Sequence, residues 1–206
     1  MLLMITGTGV MGSLVRECAK EDPFFDRIIC VEPKDKRWPE EKADLIIDFS
    51  HPEAMKDIYE YCRGHGGNIP VVIGTTGQRG QDEEMIKLLA KICPVERRSN
   101  FSRGIAAVCD ILPVMKDMMQ GCDMGVAEIH HTRKKDAPSG TAVTLCDILE
   151  IPPKEAVSLR LGNFRGEHKV WFALEDEVVE ITHRAFSRKI FAKGAIEAGK
   201  KMVQID

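Results

Sequence analysis

The stretch "MLLMITGTGVMGSLV", Met1–Val15, decides the fold class. "LLMIT" (2–6) is short, apolar and uncharged, as a strand buried on both faces should be. Gly7, Gly9 and Gly12 follow it directly, and a helical stretch runs from about Val10 to Lys20. A strand, Gly-x-Gly-x-x-Gly and a helix, in that order, make a cradle for a pyrophosphate. The first glycine permits the tight turn, the second lets backbone reach the phosphates, and the third lets helix and strand pack closely. Glu32 stands twenty residues beyond Gly12, at the end of the next apolar run, "RIICVE" (27–32). An acid there accepts hydrogen bonds from the ribose hydroxyls of a dinucleotide.

The alternation continues outward from this unit. "DLIIDFS" (44–50) and "PVVIG" (70–74) read as further strands. Pro52 is expected at the first position of a helix through "EAMKDIYEYC", which the glycines of "RGHGG" end. "DEEMIKLLAKI" (82–92) is a helix with an apolar stripe. Apolar strands alternating with helices predict a parallel sheet wrapped by helices. From about Ser102 the rhythm changes. "GIAAVCDILPVMKDMM" (104–119) reads as a helix that Pro113 kinks, "MGVAEIHHT" as a strand and "GTAVTLCDILE" as a helix. "VSLRLG", "HKVWFAL" and "EVVEITHRA" are strand-like, the last two joined at Glu175-Asp176 in an antiparallel hairpin. "SRKIFAKGAIEAGKKMV" closes as a helix that its serine caps and its late lysines suit. The fold class is therefore α/β: a Rossmann-type dinucleotide-binding domain plus a smaller α+β domain.

Composition narrows the class of function. A chain of 206 residues with 44% hydrophobic and 30% charged residues is that of an ordinary soluble globular protein. A net charge of −3 gives no general attraction to nucleic acid or to an anionic membrane. No apolar run approaches the roughly 18–20 residues that span a bilayer, and "MLLMIT" lacks the basic start of a signal peptide. Seven scattered cysteines without a CxxC argue against a disulfide framework or zinc site and for a reducing compartment, the cytoplasm.

Two loops beyond strand ends, "DFSHPEA" (48–54) and "GTTG" (74–77), lie where a nicotinamide is expected, and their small residues allow close backbone approach. Glu32 favours NAD(H), whereas Lys34, Lys36 and Arg37 would tolerate the extra phosphate of NADP(H), so both cofactors stay open. The second half carries "EIHHTRKKDAPSGTA" (128–142). His130 and His131 point to opposite faces unless the strand ends there, and they lack the HExxH spacing of a helical zinc site; no metal is expected. Either histidine can donate a proton near neutrality, and Lys134 can hold a carboxylate or be the acid itself. Ser139, Gly140 and Thr141 open a helix whose free N–H groups suit an anion.

That stretch resembles the signature of the dihydrodipicolinate reductase family, E-x-H-H-x-x-K-x-D-x-P-S-G-T-A, at every defined position. "LIIDFSHPEA", "VVIGTTG", "SNFSRGI" and "EITHRAFSRKIFAKGAIEA" extend the resemblance in the family's order. The resemblance implies a reductase that uses NADH or NADPH and acts on a cyclic dicarboxylate in lysine and diaminopimelate biosynthesis. It implies His130 as proton donor with Lys134 as its partner in acid catalysis, and His131, Lys134, Ser139, Gly140 and Thr141 as substrate-binding residues. Cofactor contacts would come from Gly7, Thr8, Gly9, Val10, Met11 and Gly12, from Glu32, and from Phe49 and Ser50. Further contacts would come from Gly74, Thr75 and Thr76, from Ser99, Asn100 and Phe101, and from Arg188 just before the last helix. The implied cofactor domain is discontinuous, 1–102 with 186–206, around a substrate-binding and oligomerisation domain, 103–185, that pairs its sheets into a homotetramer. One departure is plain: the glycine loop is a residue shorter than the family's common GxxGRMG, and Val10 replaces the arginine that can meet a 2′-phosphate. Rival readings are a non-catalytic dinucleotide-binding sensor or regulator and a reductase of another cyclic imine acid. His51, His65 and His168 receive no role, and His183 reads as a hydrogen-bonded strand residue.

Overall fold

A computed structural model of the chain describes residues 1–204. The chain divides into two compact units, one of Met1–Phe101 with the chain from Phe191 onward, the other of Ser102–Ile190.

The first unit is built on five parallel strands: β1 (Leu2–Thr6), β2 (Arg27–Val31), β3 (Leu45–Asp48), β4 (Val71–Ile73) and β5 (Val95–Arg97). Their order is β2-β1-β3-β4-β5, with the strand next in sequence switching sides after β2. Helices α1 (Val10–Lys20), α2 (Ala54–Gly64) and α3 (Gln81–Leu89) connect them. Because side chains alternate along a strand, β1 and β3 feed two cores. Met4 and Ile46 pack with Val71, Ile73 and the inner faces of α2 and α3. Leu3, Ile5, Leu45 and Ile47 pack with α1 and with Ala192, Ala195, Ile196 and Ala198 of α6 (Lys189–Val203). The strands at the sheet's centre are buried on both faces, which is why they read as unbroken apolar runs. β5, "VER", is half-exposed and charged at the sheet edge, so no apolar run announces it. Pro52 lies in the turn before α2 and not at its first helical position.

In the second unit, β6 (Asp123–His130), β7 (Val157–Arg160), β8 (Glu167–Ala173) and β9 (Val178–Arg184) form a mixed sheet of order β7-β6-β8-β9. β7 runs parallel to β6, and the other pairs are antiparallel. Helix α4 (Arg103–Met118) continues through Pro113 and is capped by Ser102, whose Oγ accepts from the Ile105 N–H at 3.3 Å. Helix α5 (Gly140–Leu149) is capped in the same way by Ser139, from the Ala142 N–H at 3.2 Å. One sheet face, with Val126, Val170 and Phe172, packs on Leu112 of α4 and on Ala142, Leu145, Cys146 and Leu149 of α5. The opposite face keeps Val157, Leu159 and Val178 about half exposed or more. His183 hydrogen-bonds Ser102 Oγ through Nε2 at 3.1 Å, as a strand residue with a local partner. No described helix is long and apolar enough to cross a membrane.

Helix α6 sits close to the first unit's core because its inward residues are small. A Cβ on Gly194 would fall 1.7 Å from the Phe101 carbonyl oxygen, so Gly194→Ala must displace backbone. Such overpacking costs about 1–3 kcal/mol, and a chemical denaturation curve should show the loss as a lowered midpoint with an unchanged slope.

Candidate active site

The nucleotide-binding features lie in the first unit. Gly7 has φ +92° and donates its N–H to the Val31 carbonyl at 2.8 Å. A Cβ there would lie 2.4 Å from the Phe49 carbonyl oxygen, and one on Gly12 would lie 1.9 Å from that of Gly7. Around Gly9, by contrast, a Cβ would meet nothing within 4 Å. The loop is thus closed against its own protein at the outer two glycines and open at the middle one, as a phosphate cradle requires. Helix α1 has no side-chain cap and no acid in its first turn, so its N-terminal N–H groups remain suited to an anion. Glu32 accepts from Thr8 Oγ1 at 2.9 Å and from the Thr8 N–H at 3.2 Å. The Thr8 hydroxyl is the main cause holding the Glu32 carboxyl below its usual range, so it is an ionised acceptor at the end of β2. Of the cations after it, Lys36 is paired with Asp57 at 2.6 Å, and Lys34 and Arg37 are exposed.

The remaining cofactor candidates gather at the carboxyl ends of the strands. Phe49 fills the space a side chain at Gly74 would need, a Cβ there falling 2.2 Å from its ring. The Phe49 and Phe101 rings meet edge to face at 6.2 Å. Asp48, fully buried, ties the loop down by accepting from Thr6 Oγ1 at 2.6 Å and from the Ser50 N–H at 3.2 Å. Thr75 is buried beside them, Thr76 and Ser99 are exposed, and Asn100 is half-buried.

The candidate acid residues lie in the second unit, on the same sheet face that holds its core. Register puts Glu128 opposite Ser158 and His168, and His130 opposite Arg160. The face that is apolar at Val126, Val170 and Phe172 therefore turns polar two residues further along each strand. Glu128 has no exposure to water. It accepts a hydrogen bond from His130 Nδ1, and Arg160 Nη2 stands 2.8 Å from its Oε1. The arginine meets that oxygen off the hydrogen-bond direction, so it is held there by charge and not by an aligned bond. Burial pushes the Glu128 carboxyl up, but His130, Arg160 and the Ser158 hydroxyl more than offset this and hold it at about 2. His168 is buried, lies edge to face with the His130 ring at 5.2 Å, and reaches Ser139 Oγ through Nε2 at 3.2 Å. Burial and then the nearby His130 push His168 down to about 3, so it is neutral at physiological pH.

Strand β6 ends at His130, which frees His131 from the opposite-face constraint. Arg188 Nη2 donates to His131 Nε2 at 3.0 Å. An arginine only donates, so the His131 proton sits on Nδ1, which is buried and finds no acceptor among the described residues. Burial, and then the charges of Arg188, Arg133, His130 and Lys134, lower the His131 pKa and keep it neutral. Arg188 is itself pushed down by burial and by Arg165 and Arg133, the mark of cations crowded without enough anions. Lys134 pairs with Asp136 at 2.8 Å.

The structure thus brings His130, His131, Lys134, Ser139 and Arg188 into one neighbourhood of the second unit. Arg188, expected at the cofactor, hydrogen-bonds His131 in the second unit. Sequence reasoning passed over Glu128, Arg160 and His168. Alternation alone places Glu128 with His130, but Arg160 and His168 need the register of β7 and β8. Glu128, His130 and His168 also present ligand atoms within 4.8 Å of one another, a metal-like spacing. The guanidinium at the same carboxylate opposes a cation there.

A family model described as "Dihydrodipicolinate reductase, N-terminus" matches residues 29–101, and one described as "Dihydrodipicolinate reductase, C-terminus" matches 104–205. A 4-hydroxy-tetrahydrodipicolinate reductase of Thermosipho africanus is 38% identical over 93% of this chain and 86% of its own length. Another, from Staphylococcus saprophyticus, is 35% identical over 99% of this chain and 95% of its own. Among solved structures, a dipicolinate-bound dihydrodipicolinate reductase from Paenisporosarcina shares the fold with a TM-score of 0.75. It is 19% identical, over 99% of this chain and 95% of that one. A myo-inositol dehydrogenase from Corynebacterium glutamicum shares it with a TM-score of 0.66 at 11% identity, over 100% and 89%.

The Glu128 carboxyl gives a pH-dependent stability. Its folded pKa of about 2 lies below its ordinary 4.5, so its contribution is present above 4.5 and is lost as pH falls from there towards 2. Denaturation curves taken at pH 6 and pH 3 should show a smaller loss for Glu128→Gln than for the unmodified protein; equal losses would contradict the ionised, paired carboxylate.

Proposed function

The chain belongs to the dihydrodipicolinate reductase family, and we propose that it reduces dihydrodipicolinate, formed from 4-hydroxy-tetrahydrodipicolinate, to tetrahydrodipicolinate with NADH or NADPH in lysine and diaminopimelate biosynthesis. One observation carries the assignment of roles within the site. A neutral His131 with a vacant, buried Nδ1–H stands among Arg133, Lys134 and Arg188, in the same neighbourhood as the His130–Glu128 pair. Such a place holds an anion and has a proton donor at hand.

The backbone from Gly7 through Thr8, Gly9, Val10 and Met11 to Gly12 holds the pyrophosphate, and Glu32 accepts from the ribose. Phe49, Ser50, Gly74, Thr75, Thr76, Ser99, Asn100 and Phe101 form the loops that receive the nicotinamide. When bound, the reduced nicotinamide supplies the hydride. His131 donates to a substrate carboxylate through Nδ1, Lys134 adds a point charge, and the N–H groups at Ser139, Gly140 and Thr141 meet a carboxylate at the start of α5. Arg188 fixes the His131 tautomer that makes this donation possible. His130 hands its Nε2 proton to the substrate carbon. Residues 1–102 and 186–206 serve the cofactor, and 103–185 serve substrate binding and assembly.

The outer face of the second sheet supports a homotetramer. Val157, Leu159 and Val178 are 57%, 48% and 60% exposed there, an apolar surface that a second copy of the chain would cover. The seven free cysteines fit a reducing cytoplasm.

The purified protein should oxidise NADH or NADPH when given the product of the preceding synthase, and a planar pyridine dicarboxylate should compete with that substrate. Lys134→Ala should lower turnover sharply while dinucleotide binding, read by fluorescence, persists; near-normal turnover would remove Lys134 from the site. Sedimentation should give a tetramer, and Leu159→Glu on the outer face should yield smaller species.

A further inference from the structure

Resting on the reading of His130 as proton donor, we propose that Glu128 and Arg160 act as a buried charge pair that sets the tautomer and direction of His130, making both positioning residues for the reduction. Glu128 lies two residues before His130 on β6, so strand alternation places both on one face. Its carboxylate accepts from His130 Nδ1. A carboxylate only accepts, so Nδ1 carries a proton in either charge state of the ring, and Nε2 becomes the end that gains and loses one. Nε2 has no hydrogen-bond partner among the described residues. It looks towards Gly166, where an added Cβ would come within 3.1 Å of it, so a side chain at 166 would crowd the working nitrogen.

Arg160 accounts for the carboxylate's survival where it has no exposure to water. A buried carboxylate whose only partner is an imidazolium loses that partner's charge each time the proton leaves. When His130 protonates the substrate, the Nε2–H bond breaks, its electron pair stays on Nε2, and the enamine carbon's pair forms the new C–H bond. Glu128 then faces a neutral ring, and the guanidinium 2.8 Å from Oε1 still balances it. The other titratable groups around the ring are His168, neutral and edge to face at 5.2 Å, and Lys134 and His131 on the loop that follows β6. Asp136 is taken up by Lys134, and Glu128 is the anion in contact with the ring, so the stabilisation of a cationic His130 falls to Glu128.

The test uses the full-length enzyme. Glu128→Gln keeps the shape, removes the charge and leaves Arg160 unmatched beside His130. Its kcat should fall roughly 10²-fold, the scale of general acid catalysis. Its KM and dinucleotide affinity should stay within about twofold, because ground-state binding is untouched. Glu128→Gln combined with Arg160→Met removes the unmatched cation and should be less impaired than the product of the single effects. Nitrogen-15 spectra of histidine-labelled wild type, at a pH where His130 is neutral, should show its proton on Nδ1. An Nε2–H tautomer there, or Glu128→Gln turnover within about threefold of wild type, overturns the proposal. The spectra decide the matter even if the variant does not fold. His130→Gln separates the two layers: normal turnover in that variant removes the donor reading itself, whereas an inactive His130→Gln beside a normal Glu128→Gln removes only the positioning pair.

Discussion

A carboxylate with no contact with water can stay ionised only where its charge is met, and Glu128 imposes that condition on the second unit. The condition is met from two strands. His130 comes from the same strand, two residues on, and Arg160 from β7, which pairs in parallel so that residue 160 stands opposite 130. An antiparallel β7 over the same paired stretch would put Arg160 opposite Ala127 and not opposite His130. The parallel edge strand in an otherwise antiparallel sheet is therefore what delivers the guanidinium. His168, opposite Glu128 on the other neighbour, then seals the face and ties it to the cap of α5 through Ser139. The core face and the acid site are one surface, apolar at one end of the strands and polar at the other.

The first unit holds a buried acid in a different way. Asp48 at the end of β3 makes no ion pair among the described residues; it accepts from the Thr6 and Ser50 hydroxyls and the Ser50 N–H, and burial pushes its pKa up. Its task is to hold the ends of β1 and β3 and the loop carrying Phe49, and hydrogen bonds suffice for that. Glu128 is met instead by His130 and by the Arg160 guanidinium, which hold its carboxyl low. The pKa values of the two buried carboxyls thus move in opposite directions, because one is given neutral donors and the other a fixed cation.

Much of this was legible in the sequence, and the gaps have physical causes. The buried strands β1, β3 and β4 announce themselves as apolar runs because both their faces are covered, and β5 does not because it is a charged edge. The motif from Glu128 to Ala142 marks its own donors because they are local along the chain. Arg160, His168 and Arg188 join the site across gaps of 24 to 57 residues, and nothing local in "VSLRLG" or "HKVWFAL" says which of their residues will face His130. Register supplies that information, and register is a property of the pairing and not of either strand.

The sequence leaves two candidates for the proton, and their surroundings differ. Lys134 pairs with Asp136, and it adds to the positive field that keeps His131 neutral. A group that holds a carboxylate by its charge weakens that hold whenever it gives up its proton, so one residue performs both tasks badly. His130 has the opposite design. Its Nδ1 is fixed on a carboxylate that a cation already balances, and its Nε2 has no hydrogen-bond partner among the described residues. On the proposed reading it can lose a proton without loosening the substrate, because the carboxylates are held by His131, Lys134 and the start of α5. Holding and proton delivery are then divided between different residues, and His130 serves only the second.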